Sequence, residues 1–222
     1  MIQPIFMNKL SEKHLESFVA ACHRLASFGL VRCSSGNLSW RVNDEYMLIT
    51  TTHKWMSELT KEQIAVCRIS DGAVLNEKTP SAENGFHFGI FRERADVNVV
   101  LHFQSPFATA LACSGRDIKN FFVIPEIPYY IGTIAIVPYL NPGSNDLAKE
   151  VISAMKEHDL AILKNHGQVA VGENFDDVIQ KASFFELACE IILRAGDQIQ
   201  FLSEDAITYL RPQGKGKQAG TV

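Results

Sequence analysis

Apolar residues along the chain alternate between the spacing of helices and the spacing of strands. From Ser11 to Gly29 they recur every three or four positions, which predicts an amphipathic helix with Gly29 as its C-cap. Short β-type runs follow, joined by turns at Asn43-Asp44 and at the SDG tripeptide: SGNLSWRV, EYMLIT, AVCRIS and AVL. The first third of the chain therefore predicts several antiparallel strands.

The rest of the chain mixes helices with strands. A helix opens in KTPSAENGFHF with Thr79 or Ser81 as its cap, and the strand VNVVLHF leads into a helix that begins at Ser105-Pro106. Two further helices, capped by Ser144 and Asn174, occur among the strands TIAIVPYL, DLAILK and QVAVG. This order predicts one sheet covered by helices on both faces.

Composition identifies an ordinary globular chain. Its 222 residues, 46% apolar and 21% charged, predict one domain over 1–210, and the polar, Gly-rich end predicts a flexible tail over 211–222. The net charge of −4 contains no long run of one sign, so we expect neither nucleic acid nor a membrane surface as a partner. With no signal-peptide pattern and five cysteines that form no CxxC pair, a cytoplasmic protein with free thiols is expected.

The stretch VVLHFQSPFATALA, residues 99–112, places polar side chains at the end of an apolar strand. Side chains alternate along a strand, so His102 and Gln104 project to one side and Phe103 to the other. His166 also follows a strand, next to Gly167, which permits a close backbone approach. Histidines at strand ends suit a zinc site, although hydrogen bonding within the core is the more common use of such residues.

Glu83 is the candidate acid/base. It lies at the start of a predicted helix, where the helix dipole stabilises a carboxylate, so helix-start electrostatics and proton transfer both account for it. His87 lies one turn further on the same helix face. We interpret His87 as a core histidine that supports the site rather than as a metal ligand.

Six motifs occur together and in a fixed order: SGN (35–37), LITTT (48–52), TPSAE (79–83), LHFQSPFATAL (101–111), IPY (127–129) and NHG (165–167). With them the sequence resembles the class II aldolase/adducin family, which includes L-fuculose-1-phosphate aldolase and L-ribulose-5-phosphate 4-epimerase. The resemblance runs from about the first helix to the last. It implies a three-layer αβα fold with a mostly antiparallel central sheet, and a homotetramer with active sites between subunits.

The resemblance also implies roles for individual residues. His102 and His166 match two zinc-binding histidines, and Gln104 stands where a third histidine is expected. Glu83 matches the acid/base of the aldolases. Tyr129 is similar to a tyrosine that a neighbouring subunit contributes, and an aromatic residue packed at a subunit contact accounts for it equally well.

The implied phosphate pocket is less complete. Four residues match its substrate-binding positions: Gly36, Asn37, Thr52 and Ser81. His53 replaces an expected glycine and Ala82 an expected serine, so a hydroxyl donor is lost and an imidazole is gained. Without the resemblance, Gly36-Asn37 is an ordinary turn before a strand.

The predicted function is metal-dependent cleavage of a carbon–carbon bond in a small ketose or ketose phosphate, with Glu83 moving the proton. Zinc is the expected cofactor. A neutral amide oxygen at Gln104 is a poorer zinc donor than imidazole, so manganese or magnesium is the alternative. Epimerisation and dehydration on the same scaffold are alternatives, as is a non-catalytic adducin-like assembly module. Gln104 favours the module, whereas an enzyme is favoured by the joint presence of His102, His166, Glu83 and Tyr129.

Overall fold

A seven-stranded sheet forms the centre of the computed structural model, which describes residues 10–116, 118 and 120–214. The strands are β1 Asn37–Arg41, β2 Tyr46–Thr50, β3 Ile64–Arg68, β4 Val99–Phe103, β5 Ala135–Val137, β6 Leu160–Leu163 and β7 Gly167–Gly172. Their order across the sheet is β3-β2-β1-β4-β7-β6-β5, and only β5 and β6 pair in parallel. The mostly antiparallel central sheet that the sequence predicts is confirmed.

Helices cover both faces of this sheet. Within the described ranges the α-helices are α1 Glu12–Ser27, α2 Asn84–Glu93, α3 Pro106–Ala112, α4 Asn145–Met155, α5 Phe175–Ala195 and α6 Glu204–Leu210. Apolar residues of α1, α3, α5 and α6 form the core on one face, and those of α2 and α4 form the core on the other. The predicted three-layer αβα arrangement is therefore confirmed.

Strand β4 shows how the alternation of side chains places the polar residues. Leu101 and Phe103 pack into the core beneath α5, whereas Val100 packs into the core beneath α2. Burying each large apolar side chain stabilises the fold by about 1.5–3 kcal/mol, which fixes the strand in this register. His102 consequently faces the α2 side of the sheet, opposite to Phe103, as the sequence predicts.

The start of α2 differs from the sequence prediction. Its N-cap is Glu83, whereas the sequence predicts Thr79 or Ser81. Residues 79–81 instead run beside the end of β2, because Pro80 pairs with Thr51 and the amide of Ser81 donates to the backbone of Thr50. The Ser81 hydroxyl accepts the backbone N–H of Glu83 at 3.3 Å. This extended segment holds Glu83 beside the central strands β1 and β4, at the start of the helix rather than inside it.

The start of α3 is capped from a distant part of the chain. Ser105 and Pro106 precede and open the helix, as predicted. The carboxylate of Glu186, on α5, accepts hydrogen bonds from the Ser105 hydroxyl at 2.6 Å and from the Phe107 and Ala108 amides at 2.8 Å. A carboxylate at a helix N-terminus satisfies otherwise unpaired N–H groups and is favoured by the helix dipole.

Other caps follow the prediction. The Ser144 hydroxyl accepts the Leu147 amide at the start of α4, and the Asn174 side chain accepts the Asp177 amide at the start of α5. The predicted strand AVL makes only one bridge, between Val74 and Cys67. Helix α6 and a π-helical turn at Ile127–Ile131 were not predicted.

The ends of the chain are described only in part. Of the predicted tail over 211–222, Arg211–Gln213 form a 3₁₀ turn after α6, and 215–222 lie outside the described residues. Residues 1–9 lie outside them as well. Of the helices that are described, none is both long enough and apolar enough to span a bilayer.

Candidate active site

Glu83, His102 and His166 converge from three elements: the N-cap of α2, strand β4 and the turn between β6 and β7. Glu83 Oε2 lies 3.5 Å from His102 Nε2, and Glu83 Oε1 lies 3.4 Å from His166 Nε2. The candidate ligand atoms of all three residues lie within 4.8 Å of one another. Two imidazoles and a carboxylate form a donor set that suits zinc and neighbouring divalent transition metals.

The ring of His102 is fixed by the sheet. Its Nδ1 lies 2.9 Å from the backbone carbonyl oxygen of Gln168 on β7, and a carbonyl can only accept. Nδ1 therefore carries a proton, and Nε2 is the ring nitrogen that faces Glu83. A histidine that donates its other ring N–H to a carbonyl is the usual arrangement of a metal ligand.

His166 is held neutral at physiological pH. Burial, followed by the proximity of His102, lowers its pKa to about 4, against an opposing effect of Glu83. Glu83 Oε1 is buried and has no hydrogen-bond partner among the described residues. A buried carboxylate oxygen without a hydrogen-bond partner is costly unless a cation or a proton is added. The residues present therefore fit a divalent ion.

Two glycines permit the close packing around His102. A Cβ on Gly36 would lie 2.6 Å from the carbonyl oxygen of His102, and the φ of Gly36 is +75°. A Cβ on Gly167 would lie 2.6 Å from the carbonyl oxygen of Phe103 and 2.8 Å from Cγ of Gln104. Any larger residue at either position would displace the end of β4.

A cavity of about 250 Å³ opens onto these residues. It brings together eight of the nine site residues predicted from the sequence: Gly36, Asn37, Thr52, Ser81, Glu83, His102, Gln104 and His166. His53 and Ala82 also line it. His53 has a φ of +59°, a conformation that favours glycine, so the imidazole stands at a strained backbone position at the cavity.

Tyr129 lies elsewhere in the chain. It is part of the π-helical turn and lines a second cavity of about 660 Å³, together with Arg24 and Tyr130. Within one chain, Tyr129 does not join Glu83. Its contribution to the active site of a neighbouring subunit stays a prediction.

The sequence predicts His87 as a supporting core histidine, and the structure bears this out, but the sequence does not predict the chain of polar side chains that joins His87 to Glu83. Asn37 Nδ2 donates to Glu83 Oε2 at 2.9 Å, and the other end of the Asn37 amide contacts His87 Nε2. The His87 Nδ1 in turn lies 2.7 Å from the hydroxyl of Ser39. The signal was present, because Asn37 and Ser39 share a face of β1 and Asn37 pairs directly with His102.

Comparison with known proteins gives a consistent picture. The family described as Class II Aldolase and Adducin N-terminal domain matches residues 16–193. The 3-oxo-tetronate 4-phosphate decarboxylase of Escherichia coli K12 is 30% identical over 188 residues, covering 82% of this chain and 88% of that protein. The 5-methylthioribulose-1-phosphate/5-deoxyribulose-1-phosphate aldolase of Rhodospirillum rubrum is 32% identical over 164 residues, 74% of this chain and 73% of that protein.

The fold is also found among solved structures. A structure of L-fuculose 1-phosphate aldolase matches with a TM-score of 0.83 at 22% sequence identity. The match covers 92% of this chain and 97% of that one. At this level of identity the likeness shows the fold alone.

Proposed function

The chain belongs to the class II aldolase and adducin family, and on this premise we propose that it is a metal-dependent carbon–carbon lyase acting on a small ketose phosphate. The observation that carries the proposal is the position of the Glu83 carboxylate, 3.4–3.5 Å from the imidazoles of His102 and His166 at one cavity. A proton-transfer group and two candidate metal ligands thus face the same small volume.

The two relatives named above act on different substrates that share one product fragment. Loss of CO₂ from a 3-oxo-tetronate 4-phosphate leaves the bonding electron pair on the carbon beside the ketone. Aldol cleavage of a ketose 1-phosphate between its third and fourth carbons leaves the pair on the equivalent carbon. Each fragment is the enediolate of dihydroxyacetone phosphate. We propose that this chain forms the same enediolate, whichever group departs.

The residues that line the cavity have different proposed roles in catalysis. When bound by His102, His166 and Gln104, a divalent ion would supply Lewis acidity for the negative charge that develops on the ketone and hydroxyl oxygens. Glu83 delivers a proton to the carbanionic carbon through an oxygen that has no other hydrogen-bond partner among the described residues. Zinc is the first candidate ion, and manganese the second, because Gln104 offers an amide oxygen.

We propose that the substrate's phosphate is bound by other polar residues that line the same cavity. Thr52 and Ser81 offer hydroxyl donors, and Gly36 and Asn37 offer the loop at the start of β1. A protonated His53 would add positive charge where the cavity lacks a second serine at position 82. These groups suit a small phosphorylated substrate.

Decarboxylation is the second candidate reaction, and the cavity lining favours it. Aldol cleavage needs a group that removes the proton from the hydroxyl of the departing fragment, whereas loss of CO₂ does not. Among the described residues that line the cavity, Glu83 is the only carboxylate and none is a tyrosine. Aldol cleavage therefore depends on Tyr129 of a neighbouring subunit, and decarboxylation does not.

We infer that the working form is a homotetramer in the cytoplasm. The family resemblance supports the assembly, and five free thiols suit a reducing compartment. The expected partner is a small phosphorylated sugar or sugar acid.

The proposal is tested by deuterium exchange into dihydroxyacetone phosphate. Protein loaded with Zn²⁺ or Mn²⁺ is incubated with this compound in D₂O, and proton NMR follows the hydroxymethyl carbon. We expect one of its two hydrogens to exchange, and chelation to stop the reaction. Absence of exchange with both ions would contradict the proposal.

A second assay then distinguishes the reactions. Release of CO₂ from 3-oxo-tetronate 4-phosphate indicates the decarboxylase, and release of an aldehyde from 5-deoxyribulose 1-phosphate indicates the aldolase. Exchange without either cleavage would point to epimerisation or dehydration. Absence of both metal binding and exchange would leave the adducin-like assembly module.

A further inference from the structure

His53 has an unusual backbone conformation beside the candidate active site. Its φ is +59°, in the left-handed region that a Cβ disfavours and that glycine adopts freely. The residue lies in a turn after β2 and is exposed, so core packing does not account for its side chain. Glycine at this position would relieve the strain without loss of buried surface. A strained residue that lines a cavity is therefore a candidate for a contact with a ligand.

The cavity contains few groups that balance the charge of an anion. Among the described residues that line it there is no lysine and no arginine, and its histidines are His53, His102 and His166. His102 and His166 lie 3.4–3.5 Å from the Glu83 carboxylate and are the candidate metal ligands. His53 is therefore the one remaining imidazole. Its ring N–H can donate to an anion whether or not the ring is charged.

Two hydroxyl groups of the same cavity are oriented as donors. The Ser35 hydroxyl oxygen accepts the Arg32 amide at 3.1 Å, and the Ser81 hydroxyl oxygen accepts the Glu83 amide at 3.3 Å. None of the described residues accepts the proton of either hydroxyl, so both protons are available to a ligand. A phosphate ester presents more acceptor oxygens than a carboxylate and is bound by several converging donors.

Backbone pairing connects the turn of His53 to the segment that contains Ser81. The Ser81 amide donates to the Thr50 carbonyl at 3.0 Å, and the Thr52 amide donates to the Thr79 carbonyl at 3.2 Å. His53 follows directly after Thr52. The imidazole and the hydroxyl donors of Thr52 and Ser81 therefore belong to one wall of the cavity.

We propose that His53 is a substrate-binding residue whose ring donates to the phosphate of the substrate, and that its strained conformation is retained for this contact. That the phosphate belongs to a substrate rests on the proposed function. The contact itself does not, because any small phosphate ester that fits the cavity makes it.

Glycerol 3-phosphate is the probe for this contact, because it carries the phosphate but has no ketone and cannot form an enediolate. Titration calorimetry of the full-length protein loaded with Zn²⁺ measures its affinity. We expect His53→Gly to weaken binding by at least roughly tenfold, the effect of one hydrogen bond to a charged group. Lys54→Gln removes an exposed neighbouring charge that does not line the cavity, and should change the affinity by less than about threefold. Equal losses in the two variants would overturn the contact, because they would show only long-range attraction.

A pair of variants tests the strain separately. His53→Gly and His53→Ala both remove the ring, but only alanine keeps a Cβ in the left-handed conformation. We expect both to lose the same affinity for glycerol 3-phosphate. In thermal unfolding, His53→Gly should melt about 2–4 °C higher than His53→Ala. Equal melting temperatures would show that the position is not strained, and would overturn the claim that strain is retained for binding.

The ring itself supplies a readout that does not depend on a variant. Nitrogen-15 chemical shifts of the histidine rings are followed while glycerol 3-phosphate or, separately, glycerate is added. We expect glycerol 3-phosphate to shift the His53 ring and to leave unchanged the ring of His23, which contacts the Leu59 carbonyl and does not line the cavity. A His53 ring that responds to glycerate alone would indicate a carboxylate site and overturn the proposal.

Failure of the proposed function is distinguishable from failure of this inference. Binding of glycerol 3-phosphate through His53, without deuterium exchange into dihydroxyacetone phosphate, would remove the lyase and support the phosphate contact. Exchange with an unchanged KM in His53→Gly would support the lyase and remove the contact.

Discussion

His102 donates its Nδ1 proton to the backbone carbonyl of Gln168, the two residues lying 2.9 Å apart across the β4–β7 pair. Through this hydrogen bond, the pairing of β4 with β7 fixes the orientation of the His102 ring. The ring cannot rotate without losing the bond, so its Nε2 is held toward Glu83 before any ligand arrives. Preorganisation of this kind lowers the cost of binding a metal ion.

Replacing Gln104 with histidine should strengthen zinc binding. Gln104 lines the cavity beside His102 and His166, and imidazole is a better zinc donor than a neutral amide oxygen. We expect Gln104→His to raise zinc affinity by at least roughly tenfold in titration calorimetry. His102→Ala is the matched loss-of-ligand variant and should abolish binding. Equal affinity for zinc in wild type and Gln104→His would show that Gln104 is not the weak position.

Replacing Glu83 with glutamine should remove proton transfer and leave the fold intact. The amide has nearly the same shape but cannot accept and return a proton. We expect Glu83→Gln to slow exchange into dihydroxyacetone phosphate by roughly a hundredfold or more, measured by NMR in D₂O. Glu157→Gln, at an exposed carboxylate after α4, is the control. Near-normal exchange in Glu83→Gln would remove Glu83 from the mechanism.

Adding a methyl group at Gly167 should disturb the site and the fold together. The new Cβ would lie within 3.1 Å of atoms of Phe103, Gln104 and His102, so the end of β4 would have to move. We expect Gly167→Ala to reduce the free energy of unfolding by about 1–3 kcal/mol in urea titration and to weaken zinc binding. Gly115→Ala meets nothing within 4 Å and is the control. Unchanged zinc affinity in Gly167→Ala would contradict this account.

Stability should fall in mild acid because of His87. Its pKa is lower in the folded state than the value of about 6.5 for an unfolded histidine, so the unfolded state binds more protons below that pH. Protonating the buried ring therefore has no effect above about pH 6.5 and destabilises the fold as the pH falls below it, by up to about 1.4 kcal/mol per pH unit. His166, whose pKa is also lowered, adds a slope of the same sign. Urea titrations between pH 7.5 and 5.5, with chelator present, measure the slope.

The variant His87→Gln should reduce that slope, since glutamine does not titrate. His14→Gln, at the start of α1, serves as the control, because glutamine suits the capping box that His14 forms with Ser11. An identical slope in wild type and His87→Gln would show that His87 does not carry the effect.

The assembly prediction rests on Tyr129 and on the family resemblance. Light scattering at micromolar concentration should give the mass of four chains of 24.7 kDa. A monomer would remove both the tetramer and a role for Tyr129 across a subunit contact.

The sequence predicts the fold well because apolar spacing and turn chemistry act locally. The caps at Ser144 and Asn174 occur where they were expected, since each depends on residues within one turn. The predicted N-cap of α2 was wrong because the start of this helix depends on a contact that is not local. The pairing of Pro80 with Thr51 shifts the helix start to Glu83, and that pairing joins segments that are distant along the chain.

The candidate site was predictable in its members but not in its connections. Motif positions identify His102 and His166, yet nothing local shows that Asn37 contacts Glu83, 46 positions further along the chain. The same holds for His87 and Ser39, which meet only because α2 packs over β1. Hydrogen-bond partners of buried polar groups depend on tertiary packing, which periodicity does not encode.

The Glu186 carboxylate, which caps α3 from α5, ties the polypeptide immediately after Gln104 to the longest helix of the molecule. The candidate catalytic residues lie on one side of the sheet, but Glu186, which fixes the segment after Gln104, lies on the other. A screen of random variants for lost activity will therefore return positions on α5 that never meet substrate. Natural substitutions in that helix have the same effect. A relative that keeps every cavity residue can therefore still lose its function through a substitution in α5, on the other face of the sheet.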